Sequence, residues 1–341
     1  MNFYLPKGLD NFTYNNCYMN SLLQCLFYCK EFRDKLLEID IKPSNSFLIL
    51  LKELFIELKN SNKYSFPAKK IKDYLNEHKF LQNENGADVT DLFDFIFSNI
   101  LYENKDEDSI KTVKYEEKVD NKSAMFNEIK NEIDDNLIIN KFFLGFYESE
   151  YQCKCKKENY KYVFQNEYRI VLPLEEISQY YNNKSNITIY DCFEYNQKYD
   201  TYQSFYCGSC HNDNSTAISF TRNLYTPKVM IINLNRGKGI QFNVKFNYEE
   251  YLDIKNYVFG KDSPYKYELV GVICHFGESG MGGHFIAFIK HFGNYGCKWY
   301  KYNDAMVNEC TFGDVQKSGM PYVLFYSYID ASPYNTQPFN I

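Results

Sequence analysis

The spacing of the apolar residues changes near residue 140, and this change limits the folds open to the chain. Between residues 16 and 100, apolar side chains recur every three or four positions, which indicates amphipathic helices. From residue 142 to residue 328, short β-branched and aromatic runs alternate with turn residues, which indicates strands. A helical half followed by a mostly antiparallel β half predicts an α+β architecture, with a cleft where the two halves meet.

The predicted helices cover residues 18–37, 44–59, 68–78 and 88–101, and the predicted strands cover 162–174, 229–234, 267–275, 284–292, 297–302 and 321–328. Segment 103–136 is rich in Lys, Glu, Asp and Asn, which predicts an exposed helix or a loose insertion without chemistry. The polar tail after residue 329 is predicted to be poorly ordered.

Charge and cysteine content exclude several classes of protein. The net charge of −6 leaves no basic excess for a nucleic-acid partner. No run of about 18 apolar residues predicts a membrane span, and the start of the chain does not read as a signal peptide. We therefore expect a cytoplasmic or nuclear protein. Its 11 cysteines are then expected to be a nucleophile, metal ligands or buried thiols rather than disulfides.

One cysteine occupies a position suited to nucleophilic chemistry. Asn15 and Asn16 form a polar turn that runs directly into Cys17, where the apolar pattern of a helix begins. A sulfur at a helix N-terminus meets unsatisfied backbone N–H groups and the positive end of the macrodipole, and both stabilise a thiolate. Cys17 is therefore a candidate nucleophile that needs a base.

Of the five histidines, His284 has the context of a base. It follows the glycine-rich segment GESGMGG and begins the apolar run FIAFI, whereas a histidine within a strand usually has a structural role. An adjacent antiparallel strand ends at Asn303 and Asp304. Either side chain would accept a hydrogen bond from one ring N–H of His284 and leave the other nitrogen for the thiol.

Two further groups of polar residues allow alternative interpretations. The pairs Cys153/Cys155 and Cys207/Cys210 predict a structural four-thiolate zinc site, and the alternative is four ordinary thiols. Asp88 and Asp91 lie one turn apart at the start of a predicted helix, where they would either cap the helix or bind a ligand.

These segments together resemble the catalytic domain of the ubiquitin-specific proteases, a family of papain-like cysteine proteases. The cysteine box of that family is matched by Gly8, Leu9, Asn11, Cys17, Tyr18, Met19, Asn20, Ser21, Leu23 and Gln24. Its histidine box is matched by Tyr267, Leu269, Gly277, Gly282, Gly283, His284, Trp299, Tyr300, Asn303, Asp304 and Val307. The stretch NGADVTDLFDFI is similar to the acidic helix of the family, and the two cysteine pairs fall where its fingers carry a zinc ribbon.

The resemblance implies a single catalytic domain over residues 1–330 with a tail at 331–341. Residues 8–140 would form a helical thumb that includes the charged insertion 103–136, and residues 141–330 would form an antiparallel palm and fingers with a probable zinc ribbon. Zinc would be structural, and catalysis would need no cofactor.

The resemblance also implies a role for each matched residue. Cys17 would be the nucleophile, His284 the general base and Asn303 the residue that orients the imidazole, with Asp304 assisting. Asp88, Asp91, Gly282 and Gly283 would bind the extended C-terminal tail of ubiquitin.

The turn before the nucleophile departs from the family pattern. The asparagine that helps to form the oxyanion hole in the family lies five residues before the cysteine, but Asn11 lies six before Cys17. Either Asn11 still reaches the oxyanion across a longer loop, or Asn15 or Asn16 replaces it.

The expected function is thiol-dependent cleavage at the C-terminal glycine of ubiquitin by a monomer that binds ubiquitin and ubiquitinated proteins. The alternatives are a weak or inactive homologue that binds ubiquitin as a scaffold, and a protease for another ubiquitin-like modifier.

Overall fold

The computed structural model describes residues 6–11, 15–44, 46–80, 86–104, 114–116, 137–154, 160–207, 212–237, 242–260, 263–279, 282–293 and 296–329. Its helices are α1 (Cys17–Tyr28), α2 (Lys30–Glu38), α3 (Ser46–Asn60), α4 (Lys69–Glu77), α5 (Val89–Glu103), α6 (Ile138–Phe143), α7 (Leu174–Tyr180), α8 (Ile189–Asn196) and α9 (Phe312–Lys317). Among the described residues, no helix is long and apolar enough to cross a membrane.

The helices of the first half correspond to the predicted ones with one correction. The predicted helix 18–37 is two helices, because the backbone leaves the helical region at Cys29, with φ −67° and ψ 86°. This break lets α2 turn away and pack on α3 and α6 rather than continue along α1. All twelve residues of α1 are buried, so the helix that begins at Cys17 is enclosed on every side rather than on one apolar face.

The strands are β1 (Gly8–Leu9), β2 (Ser65–Phe66), β3 (Lys114–Glu116), β4 (Gly145–Cys153), β5 (Tyr160–Glu167), β6 (Ile170–Pro173), β7 (Asn186–Thr188), β8 (Asp200–Cys207), β9 (Asn212–Tyr225), β10 (Val229–Asn235), β11 (Lys245–Asn247), β12 (Tyr251–Asp253), β13 (Lys266–Ser279), β14 (Gly282–Gly293), β15 (Gly296–Asn303), β16 (Met306–Cys310) and β17 (Met320–Tyr328). An eight-stranded sheet, which we call the palm sheet, has the order β16-β15-β14-β13-β17-β10-β6, with β12 beside β13. A five-stranded sheet, which we call the fingers sheet, has the order β3-β5-β4-β9-β8.

The central strands of the palm sheet are buried on both faces. Val229 and Ile231 of β10 face the core that contains α1 to α6, whereas Met230 and Ile232 face a second core that contains α7, α8 and α9. Because alternate residues of a strand point to opposite faces, a strand covered on both sides must be apolar along its whole length. This explains the continuous apolar runs in the second half of the sequence.

The structure confirms the α+β class, and it adds helices to the half that was predicted to be β. Helices α7, α8 and α9 lie between strands and cover the palm face opposite α1. Pairing is antiparallel throughout both sheets except between β10 and β6. Apart from 103–104 and the short strand β3, the charged segment 103–136 lies outside the described residues, as does the tail 331–341.

Candidate active site

Cys17 is the first residue of α1 and is buried, with 8% of its surface exposed. The N-cap Asn16 makes no side-chain capping bond, so the first N–H groups of α1 are not satisfied by a cap. Helix α1 packs against β13, β14 and β15, the strands of the palm sheet that surround the predicted base. The start of the helix is thereby held beside the start of β14.

His284 lies near the start of β14, opposite Phe276 of β13. Its Nε2–H donates to Oδ1 of Asn303, the last residue of β15, at 2.6 Å. Strand β15 is the antiparallel neighbour of β14, as the sequence predicts. With Nε2 bonded to Asn303, the other ring nitrogen is left for the hydrogen bond that His284 shares with Cys17.

The electrostatic surroundings of His284 favour its protonated form. Its pKa is raised to about 9, chiefly by the hydrogen bond to Cys17, against the lowering effect of burial; the hydrogen bond to Asn303 and the charge interactions with Cys17 and Asp304 raise it further. A protonated imidazole beside a cysteine sulfur favours the thiolate form of that sulfur. The structure therefore brings Cys17, His284 and Asn303 together.

Asp304 sits beside this group but its oxygens are bonded elsewhere. Its carboxylate lies 3.9 Å from His284 Nε2, while Oδ1 accepts from Asn20 at 2.8 Å and Oδ2 accepts from Asn11 at 2.9 Å. Its backbone carbonyl accepts from the N–H of Leu9 at 3.0 Å. Asp304 therefore ties the loop before the nucleophile, and α1 itself, to the end of β15.

The side chain of Asn11 is held by two hydrogen bonds, one to Asp304 and one to Asn16. Its Nδ2 donates to Asp304, and its Oδ1 accepts from the backbone N–H of Asn16 at 2.8 Å. Among the described residues, one amide hydrogen of Asn11 has no acceptor and could serve an oxyanion, whereas the backbone N–H of Asn16 already donates to Asn11. Residues 12–14 lie outside the described residues, so the oxyanion role of Asn11 stays a prediction.

Asp88 caps α5 and also accepts a hydrogen bond from a residue of the palm sheet. Its Oδ1 accepts from the backbone N–H and the hydroxyl of Thr90, both at 2.7 Å, and its Oδ2 accepts from the hydroxyl of Tyr322 on β17. Asp91 lies in the first turn of the same helix. Capping of α5 by Asp88 is therefore observed, and the binding role of both aspartates stays a prediction.

The sequence reasoning missed Tyr322 and His275 as neighbours of this site. His275 is 4% exposed, and burial lowers its pKa, which Asp88 raises and His284 lowers by their charges. Its sequence context carries no signal of this position, because only the pairing of β13 with β14 brings it there.

The two predicted tail-binding glycines differ in their surroundings. A Cβ at Gly283, whose φ is +155°, would lie 2.2 Å from Nε2 of His275, so this position admits only glycine. A Cβ at Gly282 would meet no atom within 4 Å. Gly283 is therefore required by packing, and Gly282 leaves open space beside His284.

The predicted zinc ligands lie at the far end of the fingers sheet. Cys153 ends β4 and Cys207 ends β8, and both thiols are buried in one cluster with Ala217 of β9, the strand between them. Two thiols brought together from separate strands fit half of a tetrahedral site. Cys155 and Cys210 lie outside the described residues, and no group of three potential ligands occurs within them, so zinc stays a prediction.

Residues 7–326 match the family model described as ubiquitin carboxyl-terminal hydrolase. The chain is 26% identical over 327 residues to ubiquitin carboxyl-terminal hydrolase 17-like protein B of Mus musculus, covering 94% of this chain and 63% of that protein. It is 28% identical over 208 residues to ubiquitin carboxyl-terminal hydrolase 8 of Saccharomyces cerevisiae, covering 56% of this chain and 41% of that protein. The chain thus spans less than two thirds of the length of these curated relatives.

Solved structures share the fold. A SAGA DUB module with Ubp8, Sgf11, Sus1 and Sgf73 bound to monoubiquitin matches with a TM-score of 0.69 and 22% identity, over 95% of this chain and 69% of that chain. A yeast SAGA DUB module matches with a TM-score of 0.68 and 22% identity, over 95% of this chain and 68% of that chain. The chain therefore shares the mixed α+β fold of these structures.

Proposed function

The chain belongs to the ubiquitin carboxyl-terminal hydrolase family, and we propose that it is a cysteine protease that cleaves bonds at the C-terminal glycine of ubiquitin. Its reaction removes ubiquitin from protein conjugates. The observation that carries this proposal is the hydrogen-bonded set of Cys17, His284 and Asn303, which come from one helix and two strands of distant sequence.

The proposed reaction starts from a thiolate on Cys17 and an imidazolium on His284. The thiolate of Cys17 attacks the carbonyl carbon of the terminal glycine, and the imidazolium of His284 gives its proton to the leaving amine as the C–N bond breaks. The resulting thioester is attacked by water, which His284 deprotonates. Ubiquitin leaves with a free carboxylate, and the thiolate–imidazolium pair is restored. Asn303 keeps the imidazole oriented through both steps.

The oxyanion of each tetrahedral intermediate needs donors near Cys17. We assign this role to the remaining amide hydrogen of Asn11, supported by its fixed position between Asp304 and Asn16. Loss of one such donor costs roughly 10²–10³-fold in kcat. Asp304 acts by holding Asn11 and Asn20 in place, since its oxygens are bonded to them and not to His284.

The acidic start of α5 is the proposed binding site for the basic C-terminal tail of ubiquitin. Asp88 and Asp91 lie on the thumb side and Tyr322 on the palm side, and Asp88 and Tyr322 are bonded to each other. Gly282, two residues before His284, leaves room for an extended backbone, and the absence of a side chain at Gly283 lets the chain pack closely on His275. A tail lying there would end at Cys17.

Three further properties belong to this proposal. The fingers carry a structural zinc held by Cys153, Cys155, Cys207 and Cys210, which is supported by the shared burial of the two described thiols. The protein acts as a monomer in the cytoplasm or nucleus. Its partners are ubiquitin and ubiquitinated proteins.

A ubiquitin probe with a C-terminal electrophile tests the proposal. We expect one covalent adduct on Cys17, none on the Cys17→Ala variant, and hydrolysis of a ubiquitin–fluorophore conjugate by the unmodified protein. An adduct that persists in Cys17→Ala contradicts the assignment of the nucleophile. Binding of ubiquitin without hydrolysis would identify a scaffold instead, and preferential reaction with a probe built on another modifier would identify a different substrate.

A further inference from the structure

A cavity of about 320 Å³ lies where the fingers sheet meets the palm sheet. Tyr147 of β4 and Glu167 of β5 line it from the fingers, and Ile170 and Val171 of β6 line it from the palm. The end of α8, including Tyr195, closes another side. None of these residues belongs to the candidate active site, so the cavity is a separate feature of the molecule.

Glu167 lines this cavity and carries a buried carboxyl. Within the described ranges its side chain has no hydrogen-bond partner, and Arg169 is the cation whose charge acts on it. The guanidinium of Arg169 instead donates to both carboxylate oxygens of Asp94, at 2.8 and 2.5 Å. Burial accordingly raises the pKa of Glu167 to about 8, which Arg169 lowers only in part. A second cation at this point would relieve that cost.

The other charged groups that line the cavity already have partners. Lys198 pairs with Asp200 at 2.8 Å. Arg222 pairs with Glu148 at 3.1 Å and with Glu150 at 2.6 Å. The two cations of the wall are thus neutralised by carboxylates other than Glu167. A further cation in the cavity would therefore find the carboxyl of Glu167 available for an ion pair.

Two more features of the walls favour a cation. Tyr147 and Tyr195 line the cavity, and aromatic rings attract ammonium and guanidinium groups. Tyr195 already does so within the chain, because the ammonium of Lys198 lies 4.6 Å from the centre of its ring. Helix α8 ends at Asn196, so the negative end of its macrodipole also faces the cavity.

We propose that this cavity binds the cationic side chain of an arginine or lysine from a protein partner, in an ion pair with Glu167. The volume lies near the lower end of the roughly 300–1,000 Å³ that small-ligand sites occupy, which suits a single side chain better than a larger ligand. The site goes beyond the proposed hydrolysis, because no residue of the catalytic group takes part in it.

Methyl NMR tests the proposal on the folded, full-length chain. The Cys17→Ala variant, labelled at isoleucine and valine methyl groups, is titrated with the peptide acetyl-Gly-Gly-Arg-Gly-Gly-amide, so that binding is scored without hydrolysis. We expect saturable shifts of Ile170 and Val171, which line the cavity. A peptide with citrulline in place of arginine keeps the shape and removes the charge, and it should bind at least about 10-fold more weakly.

Matched variants locate the interaction. Glu167→Gln should weaken arginine-peptide binding at least about 10-fold, whereas Glu175→Gln, an exposed glutamate that does not line the cavity, should leave it unchanged. Equal binding of the citrulline peptide, equal binding by Glu167→Gln, or the absence of shifts at Ile170 and Val171 would overturn the proposal. Spermidine that binds as well as the peptide would overturn the assignment to a protein side chain.

Discussion

The catalytic centre and the tip of the fingers sheet are built in opposite ways. At the candidate active site, the side chains of Asn11, Cys17 and Asn20 meet those of His284 and of the end of β15, between a buried helix and the central strands of the palm sheet. At the tip, the described core is one small cluster formed by Cys153, Cys207 and Ala217, with Tyr151 against it.

The difference shows what each region needs in order to hold its shape. A large core excludes water and orients polar groups from distant segments, so His284 and Asn303 can meet at 2.6 Å without any added ligand. A few buried side chains supply little burial energy, and such small clusters in proteins are commonly stabilised by a metal or by disulfides. The cysteine sulfurs at the tip are therefore expected to hold the local structure by coordinating a metal ion, whereas hydrophobic packing holds the structure in the palm sheet.

The largest effect should come from removing a zinc ligand. Cys207→Ser should abolish bound zinc and destabilise the fingers tip by several kcal/mol, because the binding free energy of a structural zinc is also folding free energy. Metal analysis and amide hydrogen exchange across β4, β8 and β9 measure the two effects. The exposed Cys297→Ser serves as the control. If the two regions are held independently, reaction of Cys17 with iodoacetamide should be unchanged. Full zinc content in Cys207→Ser would contradict the predicted site.

Asn303→Ala tests the catalytic side of the comparison. Without Oδ1 as acceptor, the imidazole of His284 loses its orientation, and kcat for a ubiquitin–fluorophore conjugate should fall roughly 10²–10³-fold with little change in KM. Asn308→Ala, at an exposed position on the neighbouring β16, should leave kcat unchanged. Equal activity of the two variants would show that Asn303 does not orient the base.

Gly283→Ala and Gly282→Ala are two neighbouring substitutions at the start of β14, and we expect them to change the free energy of unfolding by different amounts. The added Cβ of Gly283→Ala would fall 2.2 Å from His275, so the variant should lose about 2 kcal/mol of unfolding free energy in urea. Gly282→Ala meets no atom within 4 Å and should change this free energy by less than about 0.5 kcal/mol. Similar losses in both variants would contradict the packing of Gly283 on His275.

The smallest effect concerns the protonation of His284. Its pKa of about 9 depends first on Cys17, so Cys17→Ala should move it back toward the ordinary value of 6.5. Because the folded-state pKa is raised, stability from the imidazolium is fully present below pH 6.5 and is lost as the pH rises through 9. In the variant this loss should occur at lower pH. NMR titration of the His284 imidazole measures its pKa in the unmodified protein and in the variant. An unchanged pKa would show that Cys17 does not interact with His284.

Much of the local structure was predictable because it depends on local patterns. The predicted bounds of α3, α4 and α5 agree with the structure to within two residues, since apolar periodicity and capping act over a few positions. The strands that carry His284 and Asn303 were predicted for the same reason. The break at Cys29 was not, because α2 leaves the axis of α1 to pack on α3 and α6, which lie farther along the chain.

The contacts between distant segments could not be read from local patterns. Asp304 was expected beside His284, and its carboxylate lies 3.9 Å from Nε2 of that residue. The sequence did not indicate that this carboxylate also accepts hydrogen bonds from Asn11 and Asn20, which it does because β1 lies against the turn that follows β15. Asp88 caps its helix and also binds Tyr322, some 234 residues away. Neither partner has a signal in its own neighbourhood of the sequence.

The amino-acid sequence determined the α+β class, the positions of the main helices and palm strands, and the residues able to act as nucleophile, base and orienting amide. Periodicity, turn residues and motif spacing are enough for those conclusions, since each is a property of a short segment. Only the tertiary structure decided how the two sides of the palm sheet are covered, which groups use the oxygens of Asp304, and that Glu167 lines a cavity whose cations Lys198 and Arg222 pair with other carboxylates. These features depend on which distant segments pack together, and that is set by the burial of the whole chain.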